Sequence, residues 1–200
     1  MAKTEMAQKI VNPSAESLAS AATAAARKGP PPVHLWNPPF CGDMDMRIAR
    51  DGTWFYLGSP IGRAGLVRLF SGILKREGDK YFLVTPVEKV GIIVDDAPFV
   101  AQDFSVSGTG RDQVITFTTH VGDEAVAGPD HPIRVTRDPA TGEPSPYVLI
   151  RANLEALIDR KSFYRLVDLG VHEDHERERW FGVWSGAAFF PLIPSSELDA

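Results

Sequence analysis

Cys41 is the residue of this chain best suited to covalent chemistry. It is the only cysteine and lies between Phe40 and Gly42-Asp43, where a glycine permits a turn that presents a thiol. A nucleophilic cysteine needs thiolate character, drawn from an imidazole, a cation or a helix N-terminus. Arg47 and Arg63 are cations that a fold can bring near, and His34, His120 and His131 are possible bases; no local signature selects among them. The plainer role is a small apolar residue filling a gap in the core, because free cysteine is among the most buried types. Asp43, Arg47 and Arg63 also suit a bound ligand, since an arginine fork matches a carboxylate or phosphate. Trp54 and Tyr56 are candidates to line such a pocket, although aromatics on short antiparallel strands ordinarily belong to the core.

Two further segments are dense in functional residue types. His172-Glu173-Asp174-His175-Glu176 offers metal-ligand types with its histidines three apart. A metal centre needs a further ligand and a geometry that turns both imidazoles inward, and a solvated hairpin loop between Val167 and Trp180 accounts for the same composition. Gly58-Ser59-Pro60-Ile61-Gly62-Arg63 precedes a helical pattern and has free amides for an anion. It lacks the glycines and lysine of a phosphate loop. No metal or cofactor is expected.

The elements that must position these residues are legible from hydrophobic periodicity. Met44, Met46 and Ile48 alternate with polar residues, Asp51-Gly52 marks a tight turn, and Trp54-Phe55-Tyr56-Leu57 returns, which together predict a β-hairpin. If Trp54 and Tyr56 take one face, Phe55 and Leu57 take the other. Ser59 and Pro60 are predicted to open a helix that carries Leu66, Val67, Phe70, Ile73 and Leu74 on one side. Strands follow over 81–85, 90–94, 99–106 and 113–120. Ahead of all this, Asn12 and Pro13 read as the start of an alanine-rich helix. Arg27, Lys28 and Gly29 mark its end, and Pro30-Pro31-Pro32 forbid its continuation. Leu18 is its only large apolar residue, so docking and fraying are equally expected.

Several segments recur in order. Met46–Asp51 aligns with Ile133–Asp138, Arg63–Phe70 with Arg151–Ile158, Tyr81–Val84 with Tyr164–Val167, and Ala97–Phe99 with Ala187–Phe189. The recurrence pairs Arg47 with Arg134 and Arg63 with Arg151, which points to arginines bound to acids of their own module. The predicted fold class is therefore α+β: two tandem, similar modules of antiparallel strands, each with a covering helix, plus an N-terminal helical appendage. The expected divisions are 1–32 for the appendage and proline-rich linker, 33–110 for the first module and 111–200 for the second. Modules of this size bury barely enough core alone, so they should pack together and leave a seam where ligands bind.

Composition limits the function classes. The chain has 200 residues, 44% of them hydrophobic and 10% aromatic, and a formal charge of −5. Residues 1–30 carry +2 and the remainder −7, a poor counterion for nucleic-acid backbones. One cysteine excludes an internal disulfide and a cysteine-rich zinc site. No stretch reads as a secretion signal or a membrane span, so a cytoplasmic protein is expected.

Asn37-Pro38-Pro39-Phe40-Cys41-Gly42-Asp43, Met46-Arg47-Ile48, Asp51-Gly52-Thr53-Trp54-Phe55-Tyr56 and Gly58-Ser59-Pro60-Ile61 resemble a bacterial domain-of-unknown-function family, number twelve eighty-five. Leu69-Phe70, Tyr81–Glu88 and Asp95–Phe99 continue the likeness. The resemblance implies a duplicated α+β architecture whose second module is pleckstrin-homology-like, a pocket at the module interface that contains the cysteine, and a role in signal transduction. The expectation is a ligand-sensing or protein-interaction protein with a small-molecule ligand or signalling partner and a site built from Cys41, Asp43, Arg47, Trp54, Tyr56 and Arg63. The alternative is a cysteine-dependent transferase or hydrolase using Cys41.

Overall fold

The computed structural model describes residues 14–26 and 31–198. The first helix, α1 (Ala15–Ala26), opens on a reciprocal pair: Ser17 N–H donates to Ser14 Oγ at 3.2 Å, and Ser14 N–H to Ser17 Oγ at 3.3 Å. The predicted caps Asn12-Pro13 and Arg27-Lys28-Gly29 lie outside the described residues. Leu18 and Ala22 are fully buried, so the helix is docked.

The first sheet begins with β1 (Phe40–Ile48), β2 (Trp54–Tyr56) and the two-residue β3 (Ser59–Pro60). In β1, Met44, Met46 and Ile48 are buried while Asp43, Asp45 and Arg47 are exposed, the period-two pattern of a one-sided strand. At the hairpin, Gly52 takes φ +85° and Asp51 Oδ1 accepts from Thr53 N–H at 2.9 Å. Ser59 and Pro60 do not open the helix. They extend the ladder against β2, and α2 (Ala64–Gly72) starts four residues later with Arg63 at its N-cap. Next come β4 (Leu74–Glu77), β5 (Lys80–Val84) and β6 (Lys89–Val94). The sheet order is β3-β2-β1-β6-β5-β4, antiparallel except for the central β1/β6 pair, which is parallel.

The second sheet contains β7 (Phe99–Ser107), β8 (Val114–Thr119), β9 (Glu124–Val126), β10 (Ile133–Arg137), β11 (Pro144–Arg151) and β12 (Leu154–Ile158). Its order is β10-β11-β12-β7-β8-β9, with a parallel β12/β7 pair at the centre. Both sheets thus run outward over three strands, cross to the opposite edge and return over three. The protein is an α+β fold with two similar sheet modules, each flanked by a helix, plus an N-terminal helix. Helix α3 (Arg160–Val167) flanks the second, capped by Asp159, whose carboxylate accepts from Ser162 N–H at 2.7 Å. A three-stranded sheet, β13 (Val171–His175), β14 (Glu178–Ser185) and β15 (Ala188–Pro194), completes it.

The modules match in topology, with β1 answering β7 and β6 answering β12, rather than in the register suggested by the recurring segments. Arg63–Phe70 covers the start of α2, whereas Arg151–Ile158 lies on β11 and β12; Tyr81–Val84 is strand and Tyr164–Val167 is helix. The physical reason is period: Leu66, Val67 and Phe70 are spaced for a helix, while Leu154, Ala156 and Ile158 alternate as a half-buried strand. A division at 110 also separates β7 from β8, which pair antiparallel from Ala101 to Ser107. The sheets part at residues 95–98. The segment before Trp180 is a hairpin, as its composition suggested, built from the paired strands β13 and β14 with a two-residue turn, Glu176-Arg177, that has positive φ at both residues.

One hydrophobic core joins the modules. It runs from Leu18, Met46, Trp54 and Phe70 to Phe99, Ile115, Phe117, Leu166 and Val183. No described helix is long and apolar enough to cross a membrane.

Candidate functional site

Strand β1 divides the residues singled out in the sequence between two faces. Cys41, Asp43 and Arg47 are exposed, on the side away from the core residues Met44, Met46 and Ile48. Trp54 is 1% exposed and stacks on Phe70 with ring centroids 6.3 Å apart; its indole N–H is buried without a partner among the described residues. Tyr56 packs against the same core. Arg63 stands apart, exposed at the start of α2. The six residues therefore do not converge on one pocket. Alternation across a strand prevents it, because Met46 faces Tyr56 and Ile48 faces Trp54 on the inner side while Arg47 faces Phe55 on the outer.

On that outer face, Arg47 bonds Asp95 at 2.7 Å and lies over the Phe55 ring at 5.0 Å. Asp43 has no ion pair among the described residues and lies across β6 at Gly91. A Cβ added there would meet its carboxylate oxygen, so a larger residue would require the Asp43 side chain to swing aside. Asp43, Phe82, Gly91 and Ile93 line an open groove of about 370 Å³. Cys41 Sγ makes one hydrogen bond, to the Pro39 carbonyl at 3.5 Å, and none to an imidazole. His120 is remote: its ring sits against Gly52, beyond the far end of β1, and seven strand steps from Cys41 to Ile48 span about 23 Å. His131 Nδ1 lies 3.0 Å from the Leu149 carbonyl, and His34 is exposed. Among the described residues no imidazole is hydrogen-bonded to Cys41.

Polar contacts concentrate where the modules meet. Asp96, in the connection between the sheets, accepts from Tyr147 Oη at 2.7 Å and faces Arg50 Nε at 3.3 Å. Burial and this carboxylate raise the Tyr147 pKa. Arg151 pairs with Asp123, donates to the Ser71 carbonyl of α2 at 2.6 Å and lies over the Phe99 ring at 4.8 Å. Arg134 forms a bidentate pair with Glu155 at 2.5 and 2.6 Å. Arg134 and Arg151 are thus held by acids of their own module, whereas Arg63, which the recurrence pairs with Arg151, sits at the N-cap of α2 and has no ion pair among the described residues. His120 Nδ1 accepts from Val100 N–H at 3.1 Å, and desolvation lowers its pKa.

Among the described residues no group of three or more His, Cys, Asp or Glu is placed to hold a metal ion. His172 and His175 lie on strand β13, three apart and hence on opposite faces; His172 Nδ1 contacts Ser195 Oγ at 2.7 Å and His175 packs on Phe189.

Several concavities draw residues from both modules. A cleft of about 480 Å³ has Arg50 of the first module facing Pro146, Leu157, Arg160, Phe163 and Tyr164 of the second. Arg160 donates to Tyr164 Oη at 3.0 and 3.2 Å and has no carboxylate partner among the described residues. A separate notch of about 330 Å³ opens between β4 and the β11–β12 turn. Of these lining residues the sequence singled out His34 and Arg151, for other roles; the rest are scattered ordinary arginines, prolines and aromatics that only the fold assembles.

The fold and these cavities define a two-module α+β protein with ligand-sized concavities on its module seam. The chain belongs to the DUF1285 family: residues 31–97 match "Domain of unknown function (DUF1285), N-terminal domain", and residues 98–192 match "Protein of unknown function (DUF1285), C-terminal domain". The two matches meet where the sheets part. A DUF1285 family protein of Silicibacter pomeroyi DSS-3 is 68% identical, with 92% of this chain and 98% of that one covered and a TM-score of 0.84. Another from Shewanella baltica OS155 is 28% identical over 62% of this chain and 91% of that one, with a TM-score of 0.49. A search of curated proteins finds no match.

Proposed function

We propose that this is a non-catalytic ligand-sensing protein of the kind used in signal transduction, with a small-molecule site on its module seam. The observation that carries the reading is the cleft of about 480 Å³ between Arg50 and α3. Its size suits a small ligand, and its floor is apolar with a few polar groups at the rim, the usual make-up of binding pockets. Pro146, Leu157 and Phe163 offer flat apolar contact, while Arg160 and Tyr164 Oη offer directed hydrogen bonds. Arg50 is the one lining residue from the first module, so an occupant that engages it couples the two modules, which is what a sensor requires. In this reading the second module is the pleckstrin-homology-like one, and the outer row Cys41, Asp43 and Arg47 serves a protein partner. Its support is the unpaired carboxylate of Asp43 beside Ile93, which is 61% exposed. The cysteine-enzyme alternative gains nothing from the surroundings of Cys41.

The test is a thermal-shift screen of a metabolite library against the wild type and Tyr164→Ala. Tyr164 is 56% exposed, so its removal should leave the unliganded melting temperature nearly unchanged. A ligand of the cleft raises the wild-type melting temperature and loses that effect in the variant. If no compound stabilises the wild type, and native mass spectrometry of protein from its own cells shows only the bare chain, the small-molecule reading is abandoned for the protein-partner one.

A further inference from the structure

We infer that His120 is a proton-operated latch across the module seam: its neutral ring, wedged between Val100 of β7 and Gly52 at the tip of the β1–β2 hairpin, ties the modules there, and a proton on Nδ1 expels it. The inference does not depend on the ligand site proposed above.

The protonation state follows from the hydrogen bonds. Val100 N–H is a backbone donor and lies 3.1 Å from His120 Nδ1, so that nitrogen accepts and carries no proton. The ring is therefore neutral, with its proton on Nε2. His120 N–H in turn donates to the Val100 carbonyl at 2.9 Å, which clamps the residue to β7 from both ends. Nε2 is buried and has no hydrogen-bond partner among the described residues. It lies against the first module instead: a Cβ added at Gly52 would stand 3.1 Å from Nε2 and 3.1 Å from Val100 Cγ2. The bare backbone of that turn, at φ +85°, lets the hairpin tip close on the ring.

A second proton turns this fit into a conflict. Nδ1–H would face Val100 N–H, donor against donor, while Nε2–H would still lack an acceptor. A cation held there has neither nitrogen satisfied. The charged groups that favour it are Asp51 on the hairpin turn and Asp123 on the β8–β9 turn. Asp51 already accepts from Thr53 N–H, and Asp123 is paired with Arg151. Arg68 of α2 lies beside Gly122 on that second turn, and β7 presents Phe99, Val100 and Ala101, which do not titrate. Burial outweighs the two acids and holds the His120 pKa below its ordinary value of 6.5. The charged ring satisfies both nitrogens by swinging out to water, which uncovers Gly52. Arg50, two residues earlier, stays tied to Asp96 and Ser145, so the release is local.

Nuclear magnetic resonance of the full chain is the test. At about pH 7.5 the His120 ring is expected to be neutral with its proton on Nε2 and to show a nuclear Overhauser contact to Gly52 Hα. As the pH drops below 6.5, that contact should fade. The Val100 amide should lose protection, corrected for the intrinsic pH dependence of exchange, by up to about tenfold per pH unit, the linkage of one proton to one opening. Val100 should also exchange about tenfold faster or more than Ile115, whose N–H is held by buried Ser185 Oγ, because it opens without global unfolding. His120→Asn places a non-titrating amide oxygen near the position of Nδ1 and should abolish the pH dependence at Val100. A proton on Nδ1 at about pH 7.5, Val100 protection that ignores pH, equal protection of Val100 and Ile115, or the same slope in His120→Asn each overturns the inference. The tautomer and the Overhauser contact are read on the wild type, so they decide the matter for a variant that fails to fold.

Discussion

Replacing Arg151 by methionine tests whether the seam is held by directed polar contacts or by the shared core alone. The methionine keeps most of the aliphatic stem, so the change isolates the guanidinium. Three interactions are lost together. The charge-assisted hydrogen bond to the Ser71 carbonyl, 2.6 Å long at the C-terminal end of α2, is the largest; Ser71 is 3% exposed, and such bonds contribute about 1.5–3 kcal/mol. The Asp123 pair, with side chains 34% and 33% exposed, adds about 0–1 kcal/mol after solvent screening. The stack on fully buried Phe99 adds about 0.5–1 kcal/mol. The contributions overlap at one group, so a loss of about 2–3 kcal/mol is expected. For a chain of this length that lowers the melting temperature by roughly 4–12 °C. Urea unfolding followed by tryptophan fluorescence is the assay, with Arg151→Lys in parallel. Lysine keeps the charge but not the fork and should recover less than half of the loss. A loss below about 0.5 kcal/mol, or full recovery by lysine, refutes the idea that this guanidinium staples the modules.

Two further outcomes are expected. His120 has its folded-state pKa lowered from the ordinary 6.5 by burial, so between the folded value and 6.5 the unfolded chain binds more protons. Stability is then complete above that window and falls as pH drops through it. The slope of the urea midpoint against pH below 7 should flatten in His120→Gln, and an unchanged slope assigns the titration elsewhere. Cys41 is exposed with no imidazole bonded to it; it should react with iodoacetamide without denaturant at the rate of a free cysteine, and a rate about tenfold higher or more would restore the nucleophile reading.

The sequence by itself determined the local elements wherever side-chain period and turn chemistry agree. Met44, Met46 and Ile48 around Asp51-Gly52 specify the hairpin, and Leu66, Val67 and Phe70 specify α2, because alternation and helical spacing are properties of consecutive residues. Two similar modules were inferred from recurring segments, and two similar sheets are present, although those segments do not occupy equivalent elements. Their register was not legible, because short runs such as Arg-Ala-x-Leu suit helix and strand alike until a neighbouring strand is supplied. Tertiary structure alone decided that β6 returns beside β1 and β12 beside β7, which puts Phe99 in the second sheet. It also decided that Cys41, Asp43 and Arg47 turn away from Trp54 and Tyr56. The cavities belong wholly to that level. Arg50 bonds Ser145, and Arg151 bonds the Ser71 carbonyl, across stretches of chain with no sequence relation, so the seam exists only once the shared core has brought the sheets together.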